Sequence, residues 1–246
     1  MKRRTFFAAA ASFTVSAAVL SFPQIAHGAP RASASGAKSP KVLVAYFSWY
    51  DSVDPKRITK KDISEEAAHS LDMDSGISQA DAVSAASLNA PGLVTRVARW
   101  IGAEAAAPVM PIATTELYPT DFNTCYDRAV DEKVKRYRPK LTAETRKTIE
   151  AAREADVVFL CFPNWAYDLP TAVCAFAESG ALAGKTVIPV CLHGTGGLAR
   201  AVVRLRECAK GAKFRPTLSL YRITAQFEEK KIRDWAKDAL AKAQVV

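Results

Sequence analysis

Three short stretches of this 246-residue chain carry residue types that suit ligand chemistry. Ser48 and Trp49 follow one apolar run, Pro163-Asn164-Trp165 follows a second, and His193-Gly194-Thr195-Gly196-Gly197 follows a third. A phosphate needs backbone N–H donors at a helix N-terminus, with hydroxyls beside them. Ser48 and a helix opening at Gly92 supply that combination, with Thr95 as an additional hydroxyl. A flat ring needs an apolar cover and nearby backbone donors and acceptors. Trp165 offers the cover, and stacked aromatics gain about 0.5–1.5 kcal/mol beyond burial. The peptides of Asn164 to Ala166 and of Gly194 to Gly197 offer the donors and acceptors. The competing reading of Trp165 is a side chain that only caps the core. His193 stands where an acid would be useful, and a loop histidine facing a ligand's polar chain or solvent explains it equally well. No side-chain nucleophile is predicted and no metal-ligand set. Asp72-Met73-Asp74-Ser75-Gly76 opens like a calcium loop but lacks the third acidic ligand and the terminal Glu.

These stretches need elements to hold them in one place. Lys41 to Phe47 reads as a first strand, and Asp156 to Phe162 is an apolar run of β-formers with no polar alternation. That pattern predicts a central parallel strand covered on both faces. Pro108 to Ile112 predicts a short strand at or near an edge, because proline removes a ladder donor. Thr186 to Leu192 and Lys213 to Ile223 supply two more strands. Helices are predicted from Gly92, over 121–135 with Asp121 as cap, over 142–154, from Leu169-Pro170 through Glu178, over 198–208 and over 227–243. Strand and helix therefore alternate about five times. The expected fold is α/β, a doubly wound three-layer sandwich on a five-stranded parallel sheet of order 2-1-3-4-5. In that order the first, third and fourth strands lie side by side, and their loops converge on one crevice.

The N-terminus reads as a targeting segment. Lys2-Arg3-Arg4-Thr5-Phe6-Phe7 leads into a mildly apolar stretch, Ala8 to Leu20, too short to span a bilayer, and then into small-residue sites. The Arg3-Arg4 pair resembles a twin-arginine export signal, which carries proteins already folded; an ordinary secretory signal or an uncleaved anchor is the alternative. Residues 1–34 are thus expected to be an export signal and cleavage zone, 35–40 a linker, and 41–246 one domain with 50–88 as an insertion loop. The mature protein is expected outside the cytoplasm, periplasmic or extracellular, with no stable membrane span. Losing Lys2, Arg3, Arg4 and Arg31 lowers the net charge from +9 to +5. The remaining basic residues are scattered over amphipathic segments, which argues against nucleic acid as a partner. Five cysteines without C-x-x-C or metal spacing argue against a disulfide scaffold.

Taken together, the segments resemble the flavodoxin family, in particular members with a long insertion after the first strand. The matching pieces run in order: Val44-Ala45-Tyr46-Phe47-Ser48, Leu117 to Phe122, Arg138 to Leu141, Pro163-Asn164-Trp165 with Leu169-Pro170, Ser179 through Pro189, and His193 to Gly197. The resemblance covers about residues 41–223. It implies FMN held by three loops, the first for phosphate and the other two around the isoalloxazine ring. Ser48, Trp49, Gly92, Thr95, Pro163, Asn164, Trp165, Ala166, His193, Gly194, Thr195, Gly196 and Gly197 would bind it. The implied partners are a redox protein or a small-molecule electron donor or acceptor, including quinones or NAD(P)H. Two departures stand out. Gly92-Leu93-Val94 replaces a hydroxyl-rich phosphate loop, and Ala166-Tyr167-Asp168 replaces an aromatic residue followed by Gly. Asp168 is expected to place negative charge near the ring. A flavodoxin-fold binding protein that has lost FMN is the alternative; a hydrolase is disfavoured because no G-x-S-x-G elbow is present.

Overall fold

The computed structural model describes residues 39–63, 87–194 and 196–243. Residues 1–34, where an export signal is expected, most of the expected linker, the 64–86 part of the expected insertion with its Asp72 to Gly76 stretch, and Thr195 lie outside the described residues. The strands are β1 (Val42–Tyr46), β2 (Val109–Pro111), β3 (Val157–Pro163), β4 (Thr186–His193), β5 (Lys213–Phe214) and β6 (Leu218–Tyr221). The helices are α1 (Leu93–Ala105), α2 (Phe122–Val134), α3 (Ala143–Glu154), α4 (Thr171–Phe176), α5 (Ala201–Cys208), α6 (Arg222–Phe227) and α7 (Glu229–Ala243).

All strand pairings are parallel and the order is β2-β1-β3-β4-β5, as expected, with β6 also on β4. Alternate residues face opposite layers. Leu43, Ala45, Val158, Leu160, Phe162, Val187 and Cys191 meet the layer formed by α2 to α5, while Val44, Phe159, Ile188, Val190 and Leu192 meet α1, α6 and α7. Because β3 is buried at every position it carries no polar alternation, which is the physical content of its sequence pattern.

Local rules set the helix starts. The Asp121 carboxylate accepts from Thr124 N at 2.8 Å, so the predicted cap closes its helix, and at the start of α3 the Thr142 hydroxyl accepts from Thr145 N at 3.1 Å in the same way. The last predicted strand is instead two, broken around Pro216. Opposite that break lies Pro189, between the pairing that ends at Val187↔Phe214 and the one that begins at Val190↔Leu218. Two prolines without N–H groups face a gap in the ladder, where their missing donors disrupt least. The last predicted helix is observed as α7, starting at Glu229, and a short helix that was not predicted, α6, precedes it where the strand was expected to end, the two separated at Glu228 (φ −108°, ψ 51°). Among the described residues no helix is long and apolar enough to cross a membrane.

Candidate functional site

The carboxyl ends of β1, β3 and β4 bring two unlike corners together. At the first, β1 continues through Phe47, whose N–H donates to Cys161 O at 3.0 Å, and the chain then turns at Ser48. Ser48 is 1% exposed, and its Oγ has no hydrogen-bond partner among the described residues. Across from it, Gly92 (φ +80°) precedes α1, which starts with no side-chain cap. A Cβ at Gly92 would stand 2.8 Å from Ser48 Oγ and 2.8 Å from Tyr50 Cβ, so only glycine permits this approach. The loop before α1 folds back on itself: Gly92 N donates to Asn89 O at 2.7 Å, and Asn89 N to Ser87 Oγ at 3.1 Å. The corner therefore offers uncapped helix amides beside a buried hydroxyl, an arrangement that suits an anion.

One neighbour works against that charge. Thr95, fully buried, donates its hydroxyl to Asp51 Oδ2 at 2.5 Å. Burial pushes the Asp51 carboxyl above the usual carboxylate range, although bonds from Thr95 and Tyr46 pull the other way. The Tyr46 phenol is driven far upward by burial and then by the Asp51 charge. Asp51 is the residue that sequence reasoning missed here. Its only trace was its position three after Ser48.

At the second corner, Pro163 closes β3 and Asn164 ties the two other loops together. Asn164 N donates to Leu192 O at 2.7 Å, and Asn164 Nδ2 donates to Gly197 O at 2.7 Å. Trp165 and Asp168 exchange backbone hydrogen bonds around Ala166 and Tyr167, both in the left-handed region (φ 51° and 61°). Two positive φ values in a two-residue turn define a type I′ hairpin. The turn thus adopts without glycine the conformation that glycine normally supplies, and other elements hold it there. Lys133 Nζ donates to Ala166 O at 2.7 Å, and Arg200 N donates to Tyr167 O at 3.3 Å.

The aromatic side chains lie beneath these loops. The Trp165 indole is 2% exposed and packs edge-on against Phe47 (5.5 Å), Tyr118 (5.6 Å) and Trp49 (6.2 Å). Its flat face is turned into the core rather than over the crevice. Trp49 is also buried, and its Nε1 donates to Pro119 O at 2.9 Å. Asp168 does not direct its charge at the crevice: it is buried, accepts from Leu169 N at 2.8 Å and lies 3.5 Å from Arg204 Nε. His193 ends β4, with Nδ1 2.6 Å from Gly194 O and Nε2 2.8 Å from Ser219 Oγ. Because a carbonyl only accepts, Nδ1 carries the proton and Nε2 accepts from the serine. Gly194 is buried, Gly196 is exposed, and Gly197 (φ 61°) completes the loop.

Under the floor lies a polar hub with no clear sequence signature. Glu132 is buried and accepts from Tyr118 OH (2.7 Å), Thr171 Oγ1 (2.5 Å) and Arg128 Nε (2.9 Å). Arg128 also stacks 4.2 Å above the Tyr118 ring and donates to Leu117 O at 2.8 Å. Burial and then the Glu132 charge push the Tyr118 phenol well up. In sequence, Arg128 and Glu132 read as an ordinary i,i+4 pair on a helix surface.

Residues 82–239, well over half of the chain, match the family profile described as Flavodoxin, and the chain belongs to that family. Among solved structures it is similar to a protein of Bacteroides eggerthii assigned as a flavoprotein, at 23% identity and a TM-score of 0.52, over 82% of this chain and 98% of that one. A second such protein, from Bacteroides uniformis, matches at 20% identity and a TM-score of 0.51, over 81% and 99%. At these identities the likeness is one of fold. Among curated proteins, none matches the chain.

Proposed function

We propose that the protein is an exported FMN-binding electron-transfer protein, acting as a carrier or as a small quinone- or NAD(P)H-linked reductase. The observation that carries this reading is the Ser48–Gly92 corner, where a buried hydroxyl without a partner faces an uncapped helix start across a glycine with no room for a Cβ. Family membership adds to it. Ser48 and the opening amides of α1 would take the phosphate. The peptides of Pro163 to Ala166 and of His193 to Gly197 would border the ring. The bound flavin would supply the one- or two-electron chemistry that no side chain here provides. The chain's own contribution is positional: the Asn164–Gly197 bond fixes the spacing of the two ring loops, and the buried aromatic floor keeps them from collapsing inward. Arg3-Arg4-Thr5-Phe6-Phe7 supports export as a folded, cofactor-loaded protein.

The test is a visible spectrum of the mature chain taken from its native compartment, followed by titration with FMN. A yellow protein, or uptake of FMN at about micromolar concentration, supports the reading. A colourless chain that takes up none at that concentration ends it. A second reading, a flavodoxin-fold protein that no longer holds FMN, is favoured by one observation: Asp51 occupies the Thr95 hydroxyl and adds a carboxyl beside the anion corner.

A further inference from the structure

All five cysteines are free and buried, but two of them differ from the rest in their surroundings. Cys125, Cys161 and Cys191 are completely enclosed, and burial is the main force that pushes their thiols up. Such thiols behave as small hydrophobes. Cys174 lies in α4 and Cys208 ends α5; these helices pack against each other, and both cysteines border Arg138, Cys208 by direct contact and Cys174 in the cleft that Arg138 also lines.

A cation attends the pair. Arg138 Nη2 lies 3.9 Å from Cys208 Sγ, while its Nε and Nη2 each bond Glu178 at 2.7 Å, so the carboxylate holds the guanidinium in place. A narrow cleft lined by Lys133, Arg136, Arg138, Arg204 and the carboxylate of Asp168 leads to Cys174, and Cys208 retains 6% of its surface. Positive charge beside a partly accessible thiol favours the thiolate, which is the reactive form. The two thiols respond in opposite senses. Cys208 is drawn down by the hydrogen bond from Cys174, against burial and the Glu178 charge and with a smaller pull from Arg138, and Cys174 is pushed up by the same bond and by burial.

We propose that Cys174 and Cys208 form a redox-active dithiol that closes to an intramolecular disulfide clipping α4 to α5. The oxidant is a low-molecular-weight disulfide, RSSR, such as glutathione disulfide. The Cys208 thiolate attacks one sulfur of RSSR, forms a mixed disulfide and expels RS⁻, which takes up a proton. Cys174 then loses its proton to solvent, attacks the Cys208 sulfur and expels the second RS⁻, protonated in turn to RSH. Two protein thiols are oxidised and one external disulfide is reduced to two thiols. α4 follows the loop after β3 and α5 follows the loop after β4, so the bond locks the spacing of the two loops joined by Asn164 and Gly197. The proposal does not depend on FMN.

The test equilibrates the folded full chain in glutathione buffers of rising oxidation, alkylates remaining thiols, and maps them by peptide mass. The expected result is one disulfide, Cys174–Cys208, with Cys125, Cys161 and Cys191 alkylated only after denaturation, and a melting temperature raised by about 5–10 °C from closing a loop of roughly 30 residues. Cys174→Ser should accumulate a glutathione adduct on Cys208, whereas Cys208→Ser should accumulate none on Cys174. Reduced Cys174 and Cys208 at the oxidising end overturn the proposal, as does any other pairing. An adduct on Cys174 in the Cys208→Ser variant overturns the assignment of Cys208 as the attacking thiol. Wild-type mapping decides the proposal even if a variant fails to fold.

Discussion

At the Trp165–Asp168 hairpin the backbone is fastened by protein partners although two buried side-chain atoms, Asn164 Oδ1 and Trp165 Nε1, have none, whereas at the Ser48–Gly92 corner the unpartnered hydroxyl stands beside a helix start that no side chain caps. The hairpin turn is fastened by Lys133 and Arg200, its Asp168 is matched by Arg204, and its floor rests on the Glu132 hub. The corner instead offers Ser48 Oγ, buried and unpartnered, next to uncapped amides. Leaving a buried polar group unsatisfied costs about 1–3 kcal/mol. That cost is met on both sides of the crevice, so the difference lies in the backbone: bound by Lys133 and Arg200 at the hairpin, which gives rigidity, and uncapped beside the Ser48 hydroxyl at the corner, which suits a ligand's negative charge.

The comparison breaks most visibly at Glu132. Replacing it with Ala strands the buried Tyr118 and Thr171 hydroxyls, at about 1–3 kcal/mol each, and takes the carboxylate from half-buried Arg128, which keeps Leu117 O and the Tyr118 ring. Glu132→Ala should therefore lower the unfolding midpoint in urea by more than any single change at the corner. A loss below about 1 kcal/mol, the scale of a surface ion pair, would show that the hub is not what holds the floor. Gly92→Ala comes next. The left-handed φ costs about 1–2 kcal/mol for an ordinary residue, and the contacts at 2.8 Å to Ser48 Oγ and Tyr50 Cβ force the two loops apart. Stability should fall by about 2–3 kcal/mol, and FMN affinity should fall by more than tenfold in a fluorescence titration. Unchanged affinity would separate Gly92 from the phosphate site.

Much of the frame that holds these two corners is legible in the sequence. Apolar runs without alternation at Val157 to Phe162 and a glycine before Leu93 placed the strands, the α1 start and the crevice. The side chains facing that crevice were harder to read. Strand parity fixes which way Phe162 points, but it ends with the strand, and Trp165 turned inward because Phe47, Tyr118 and Trp49, brought from distant segments, built it a pocket. The Tyr167 turn resisted for a different reason. Its left-handed backbone is imposed by Lys133 and Arg200 rather than by its own composition. Glu132 contacts residues 14 and 39 positions away, so no local pattern announces it.

Asp51 sharpens the comparison through pH. Its folded-state pKa is raised by burial, so between the ordinary unfolded value, about 3.9, and that raised value the folded chain holds more protons than the unfolded one. Stability contributed at this residue is therefore full below the lower value and is lost as pH rises through the window. Asp51→Asn keeps an acceptor for Thr95 and removes the titration. Relative to wild type the variant should match at the acidic end and gain stability as pH rises, levelling off above the window. FMN should bind it more tightly at neutral pH, because a carboxyl beside the phosphate corner is gone. A constant stability difference across pH would assign the Asp51 effect to packing rather than charge.

The smallest effect on stability belongs to Ser48, and it is the most telling. Its hydroxyl makes no bond among the described residues, so Ser48→Ala removes an unsatisfied buried group and should leave the fold unchanged or stabilise it by about 1 kcal/mol. If the hydroxyl exists for an anion, the same variant should lose a hydrogen bond to a charged group, about 1.5–3 kcal/mol, or roughly ten- to a hundred-fold in FMN affinity. Binding and stability would then move in opposite directions at one atom, which a purely structural serine cannot do. At the hairpin the opposite pairing is expected: Lys133→Met unfastens Ala166 O and should cost stability before it costs affinity. A Ser48→Ala protein that loses stability and keeps its affinity would reverse the assignment of the two corners.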